Sequence, residues 1–179
     1  MTEVGTIYGG ALYDLAVSEN LSEEILKQLQ VLSDSFGAEP AFVNLLNAHS
    51  LPKAERCKII DDSFAEKVHP YVCNFLKLLT EKGYVRHFAE CCTAYRARYH
   101  ADNNILPVTA VTAVALNDAQ LARLVSKLEE RIGKTVEITN RIDPDVLGGV
   151  RLHFDNKCVD DTLAHRLGSV RHLLNNTIL

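Results

Sequence analysis

The stretch VEITNRIDPDVLGGVRLHF, Val136 to Phe154, decides how the chain is read. Two segments with alternating character flank a loop, Asp143-Pro144-Asp145-Val146-Leu147, that ends in Gly148-Gly149. In the first segment Val136, Ile138 and Ile142 share a side, with Glu137, Thr139 and Arg141 opposite. In the second, Val150, Leu152 and Phe154 face inward and Arg151, His153 and Asp155 outward. Period-two alternation around a Gly-containing loop predicts a β-hairpin with one buried face.

Around it lies a small α/β unit. ILPVTAVTAV (105–114) is β-branched and uncharged, which predicts a well-buried strand. Asn117 opens a helix with the stripe Leu121, Leu124, Leu128 and Ile132, and Gly133 ends it. Beyond the hairpin, Asp160-Asp161-Thr162 reads as the start of a last helix carrying Leu163, Leu167, Val170 and Leu174. The expected order is strand, helix, hairpin, helix.

Upstream of Asp102-Asn103-Asn104 the chain reads as six helices. The first spans 3–18. Asn20 and Glu23 have the spacing of a capping box for the second, whose stripe is Ile25, Leu29, Leu32 and Phe36 and whose expected C-cap is Gly37. Pro40 starts a third and Pro52 a fourth. The fifth runs from Pro70 to Lys82 and stops at Gly83; the sixth runs from Val85 to about His100. Short connections between short helices imply a bundle. The fold expected is mostly α: a six-helix bundle over 1–104, then a small α/β domain over 105–179.

Bulk properties narrow the functions. The chain has 179 residues, enough to bury about 70% of its unfolded surface. Its 19 Lys+Arg against 23 Asp+Glu give a net charge of −4, and no block is strongly basic, which argues against a nucleic-acid surface. No apolar run approaches the roughly 20 residues of a bilayer span. MTEVGTIYGG lacks the basic start and apolar core of a signal peptide. An odd count of 5 cysteines suggests reduced thiols in a cytosolic compartment.

No catalytic or metal motif accompanies the fold. Cys57, Cys73, Cys91, Cys92 and Cys158 form no CxxC pair, and the histidines form no HExxH. Ser169 has no GxSxG context, and Gly9-Gly10 is not a phosphate loop. Asp61-Asp62 and Asp160-Asp161 read as helix-end residues. No cofactor, metal or catalytic residue is expected.

The first helix is too apolar for its place. At about 100° per residue, Ile7, Ala11, Val4, Leu15 and Tyr8, continued by Leu12, Gly5, Ala16 and Gly9, cover about 200°, against the ~100° of a surface helix. Glu3, Asp14, Gly10, Thr6 and Tyr13 fill most of the rest. Two readings fit. The helix is central in its own bundle, or one side is a groove for a partner helix, with Gly5 and Gly9 admitting a close backbone. On the fifth helix Leu78, Tyr71, Phe75, Leu79, Val72 and Leu76 cover about 160° on the same arithmetic.

With these residues in view, nearly the whole chain resembles the delta subunit of the bacterial F-type ATP synthase, whose mitochondrial relative is the oligomycin-sensitivity-conferring protein. IYGGALYDLA (7–16) is similar to the family's opening helix through Tyr8, Ala11, Leu12 and Ala16, with Gly9 where Ala is usual. Val136, Ile138, Ile142, Asp143, Val146, Gly148, Gly149, Val150 and Leu152 fit the family signature in spacing, as do Asp160, Thr162, Leu163 and Leu167 after it. Asp161 replaces a usual Gly, and Asp155 departs from the preferred Gly, Ser, Glu or Asn. Both residues suit turns.

The resemblance implies a non-catalytic stator connector. Its bundle would bind N-terminal helices of the alpha subunits, using the first and fifth helices. Its C-terminal domain would meet the C-terminal ends of the b subunits, on the cytoplasmic face of the bacterial plasma membrane. The alpha-binding surface expected is Tyr8, Ala11, Leu12 and Leu15 with Phe75, Leu78, Leu79 and a rim Lys82. Gly148, Gly149 and Asp160 are then structural signature positions, and the glycine pair is a turn and not a ligand loop. Two other classes remain open at this level: a small-ligand enzyme on the α/β unit, or an unrelated helical adaptor.

Overall fold

The computed structural model describes residues 2–48, 51–146, 148–154 and 157–160. The chain divides into two compact units, Met1–Tyr99 and His100–Leu179. The first is built from α1 (Glu3–Ser18), α2 (Ser22–Ala38), α3 (Pro40–Asn47), α4 (Lys53–Phe64), α5 (Pro70–Lys82), a 3-10 turn (Val85–His87) and α6 (Phe88–Asp102). The second holds β1 (Ile105–Thr112), α7 (Asp118–Ile132), β2 (Thr135–Ile142), a 3-10 turn (Pro144–Val146), β3 (Val150–Phe154) and β4 (Lys157–Asp160).

Proline and glycine set several helix ends where the sequence places them. Pro40 and Pro70 occupy first-turn positions of α3 and α5, where a missing N–H is harmless. Two ends differ from expectation. Asn20 belongs to the end of α1, not to a capping box of α2. It takes φ 58°, its N–H donates to Val17 O, and the Leu21 N–H donates to Ala16 O. These are the two bonds of a Schellman motif. The residue before α2 is Leu21, which has no side-chain cap. Gly37 lies inside α2, which continues to Ala38. Pro40 stops it instead, by forcing Glu39 out of the helical region.

The bundle core runs through Leu12, Ala16, Ile25, Leu29, Leu46, Ile60, Leu76 and Tyr95. Phe36 is its aromatic centre, with ring centroids 5.0 Å from Phe88, 5.6 Å from Phe42 and 6.1 Å from Phe64. Tyr13, expected on the polar side of α1, is buried and meets Tyr95 edge-on at 5.2 Å. The Tyr95 hydroxyl donates to Ser22 O at 2.9 Å, so a buried phenol is satisfied. The Arg56 guanidinium is buried too, and its NH1 donates to Leu46 O in the last turn of α3.

Small residues on α1 serve the bundle itself. A Cβ added to Gly9 would lie 2.3 Å from the Cys91 carbonyl oxygen and 3.0 Å from Ala94 Cβ. One added to Gly5 would lie 2.8 Å from Glu90 Cβ. The close backbone approach these glycines permit is therefore that of α6 in the same chain. This corrects the reading that assigned them to a partner helix.

The sheet overturns the hairpin. Its strand order is β2-β1-β3-β4, so β1 lies between the two segments expected to pair. β1 runs parallel to β2, Ile105 opposite Thr135, and antiparallel to β3, Ala110 opposite Leu152. The physical reason lies in composition. β1 buries Leu106, Val108, Ala110 and Thr112 on one face and Val111 on the other, and a strand so largely buried suits the middle of a sheet. β2, half polar, takes the edge. The 15 residues of α7 supply the long crossover that a parallel pair requires.

Asp143 to Val146 thus strap the end of β1. The Asp143 N–H donates to Thr112 O at 2.9 Å, and Val146 is 1% exposed beneath it. Gly148 at φ 153° and Gly149 at φ 86° turn the chain into β3, and the Gly149 angle is one that side-chain-bearing residues resist. Ile142, expected inward, is 55% exposed at the end of the edge strand.

The hairpin actually present joins β3 to β4, with His153 opposite Cys158. Asp160, expected at a helix start, ends β4 and pairs with Arg151 Nε at 2.8 Å. The last helix expected from sequence lies outside the described residues. The sheet core is Leu106, Val108 and Val136, covered by Val125, Leu128 and Ile132 of α7. α7 begins with a full capping box: the Asn117 side chain accepts from Gln120 N, and the Gln120 side chain accepts from Asn117 N.

Candidate functional site

Two rows of residues face each other across a groove on the helical unit. α1 contributes Tyr8, Ala11, Leu12 and Leu15, and α5 contributes Tyr71, Asn74, Phe75 and Leu78. Both rows have the spacing i, i+3, i+4, i+7, which places four side chains along one helix stripe. The volume between them is about 290 Å³. Leu12 and Phe75 form the floor at 5% and 7% exposure, while Leu15 and Leu78 stand on the walls at 41% and 40%. Ile7, 59% exposed on α1, extends the apolar surface along the same helix.

The groove is held from behind. α1 is fixed to α6 at both ends. The Thr2 N–H and hydroxyl both donate to Glu90 Oε2, at 2.6 and 2.5 Å. Those bonds, the hydroxyl's first, hold the Glu90 carboxyl down at about 2. At the other end Arg98 NH1 donates to Asp14 Oδ1 at 2.7 Å. α5 is tied to α4 by Lys77 and Asp61, 2.5 Å apart, each stabilising the other's charge. The two tyrosines at the groove's corners are also pinned. Tyr8 meets Tyr84 edge-on at 5.8 Å, and Tyr71 lies 4.9 Å from the His69 ring.

The lining carries no charge. Its polar groups are two phenols and the Asn74 amide. Such a surface offers apolar area and a few hydrogen bonds, and no acid–base pair or nucleophile. Among the described residues no group of three or more His, Cys, Asp or Glu is placed to hold a metal. Burial pushes the Cys91 thiol up to about 11 and the Cys92 thiol to about 12, which keeps them protonated and inert. Among the described residues no helix is long and apolar enough to cross a membrane.

Of the eight residues singled out from sequence, the structure brings six into this groove: Tyr8, Ala11, Leu12, Leu15, Phe75 and Leu78. Leu79 is fully buried in the bundle core. Lys82 is exposed and lines a separate depression with Lys53, Ala54, Cys57 and Glu81. Tyr71, on the wide arc of the fifth helix, was left out of those eight, and Asn74, which reads from sequence as facing away from that arc, lines the groove as well. Extending the α5 row one turn back from Leu78 at i−4 and i−7 finds both.

The geometry defines a class: a helical bundle with an uncharged apolar groove, followed by a small mixed α/β unit. Comparison with known proteins makes this specific. The family model described as ATP synthase delta (OSCP) subunit matches residues 4–174, and the chain belongs to that family. An ATP synthase subunit delta of Alkaliphilus oremlandii is 27% identical over 172 residues, covering 96% of each chain. That of Chlorobaculum tepidum is 27% identical over 167 residues, covering 93% of this chain and 92% of its own. In fold, a chain of the Toxoplasma gondii mitochondrial ATP synthase hexamer superposes with a TM-score of 0.73 at 18% identity, over 97% of this chain and 98% of that one. The chain is thus a peripheral-stalk subunit of an F-type ATP synthase and is not itself catalytic.

Proposed function

We propose that the α1–α5 groove receives an N-terminal helix of an ATP synthase alpha subunit, and that the His100–Leu179 unit meets the C-terminal ends of the b subunits. The chain then joins the catalytic head to the peripheral stalk on the cytoplasmic face of a bacterial plasma membrane. One observation carries the first contact: two i, i+3, i+4, i+7 rows line an uncharged groove with leucines exposed on both walls. An amphipathic helix laid in such a groove buries its own apolar stripe against both rows. The b-subunit contact and the membrane face rest on the family pattern alone.

The test uses a peptide of the cognate alpha-subunit N-terminus titrated into the intact chain by calorimetry. Micromolar binding is expected. Ala11→Arg, at an exposed position in the α1 row, should weaken it at least tenfold while the fold is retained by circular dichroism. Absence of binding at micromolar peptide, or binding unaffected by Ala11→Arg, refutes the reading. For the second contact, co-purification with the b subunits should survive Ala11→Arg and fail when residues 105–179 are deleted.

A further inference from the structure

The α5 wall of the groove begins with a titratable cap. His69 precedes Pro70 in extended backbone, and its ring Nδ1 accepts from the Tyr71 N–H at 3.3 Å. First-turn N–H groups have no partner within their helix, so this bond is the one that holds the Tyr71 amide. Nδ1 accepts only while it keeps a lone pair, which requires a neutral imidazole with its proton on Nε2. The same ring packs on Tyr71, centroids 4.9 Å apart and planes at 48°. Tyr71 in turn lines the groove. One imidazole therefore sets both the start of α5 and the position of a groove side chain.

The surroundings leave the ring free to respond. The His69 main chain is anchored separately, its N–H donating to Gln28 Oε1 at 2.7 Å. α2 brings Gln28 and, behind it, the Glu24 carboxylate, which accepts from Gln28 Nε2 at 3.2 Å. α5 itself has no acidic residue in its first turn. The preceding turn carries Glu66 and Lys67, both exposed. No carboxylate among the bonds His69 makes would hold a charged ring in place. A cation there would also face the positive end of the α5 dipole.

We propose that His69 makes the α1–α5 groove sensitive to pH. Uptake of one solvent proton at Nδ1 ends the cap, releases the ring from Tyr71 and loosens the α5 wall, while the Gln28 bond keeps the chain from unravelling further. Imidazole is the side chain whose charge ordinarily changes between roughly pH 5 and 8. The consequence for docking rests on the groove being a helix site; the loss of the cap does not.

The experiment measures amide hydrogen exchange of Tyr71 in the intact chain by NMR at pH 7.5 and 5.5, corrected for intrinsic rates. Protection should fall about fivefold at the lower pH, the size expected for a lost cap. His69→Asn caps without titrating, so its Tyr71 protection should not change. Unchanged protection in the natural chain, or an equal fall in His69→Asn, overturns the proposal. In a second arm, the alpha-subunit N-terminal peptide should bind the natural chain several-fold more weakly at pH 5.5, and His69→Asn equally at both. Equal binding by the natural chain at both values overturns the regulatory role. Failure to bind at either pH overturns the groove reading, and the amide measurement still decides the cap.

Discussion

Replacing Gly9 with Ala tests the central packing claim, because Gly37→Ala provides a control of opposite sign. Both glycines lie inside helices, where Ala is favoured by about 1 kcal/mol. At Gly37 nothing lies within 4 Å of the added Cβ. That substitution should therefore stabilise, by about 0.5–1 kcal/mol. At Gly9 the Cβ arrives 2.3 Å from the Cys91 carbonyl oxygen, 3.1 Å from its carbon and 3.0 Å from Ala94 Cβ. The nearest atom is backbone inside α6, which cannot swing aside. Relief needs α1 to withdraw by about 1 Å, given that unstrained non-bonded atoms sit at about 3.5 Å. Withdrawal loosens the Tyr13–Tyr95 contact and the Leu12 and Ala16 packing behind it. Overpacking of this kind costs about 1–3 kcal/mol and sometimes more. This contact is at the severe end, so after the propensity gain the net loss should be about 2 kcal/mol. At about 4–8 °C per kcal/mol for a unit this size, melting should fall by about 8–16 °C. Urea and thermal unfolding followed by circular dichroism at 222 nm read both variants. A Gly9→Ala chain as stable as the natural one would refute the close α1–α6 approach.

Three further outcomes follow from single contacts. Glu90→Gln should lower the melting temperature at neutral pH. The natural carboxyl sits at about 2, below its ordinary 4.5, so its stabilisation is present above about 4.5 and is lost as pH falls toward 2; the two chains should converge there, as melting against pH will show. Asn117→Ala removes the cap of α7 and should cost about 1 kcal/mol, with faster exchange at the Gln120 amide. Asn140→Ala removes an acceptor for Leu116 N and donors to Ala110 O and Thr112 Oγ1, and should cost about 1–3 kcal/mol in urea unfolding of the sheet unit.

Much of the helical unit was legible because its signals are local. Pro40, Pro70 and Gly83 act within a turn of where they stand, and a 3.6-residue stripe needs no knowledge of what covers it. The groove was legible for the same reason. Seven of its eight lining residues lie on two over-wide apolar arcs. Where reading failed, the missing information was a partner. Leu79 and Leu12 sit on the same arcs, yet one is fully in the core and the other floors the groove. Asn20 looked like the start of α2 until its bonds to α1 were visible.

By itself the sequence marked α1 to α7 and the first three strands, though not β4, and, through the spacing around Gly148-Gly149, which family the chain resembles. Tertiary structure decided how the pieces pair. The segments flanking that glycine pair alternate as a hairpin would, and period-two alternation is the same whatever strand lies alongside. Only the three-dimensional arrangement placed β1 between them, where β2 and β3 pair its backbone on both edges. The glycines therefore turn the chain over the end of β1 and not between paired neighbours. The same holds for Gly9, whose need for a missing side chain is set by a carbonyl more than eighty residues away.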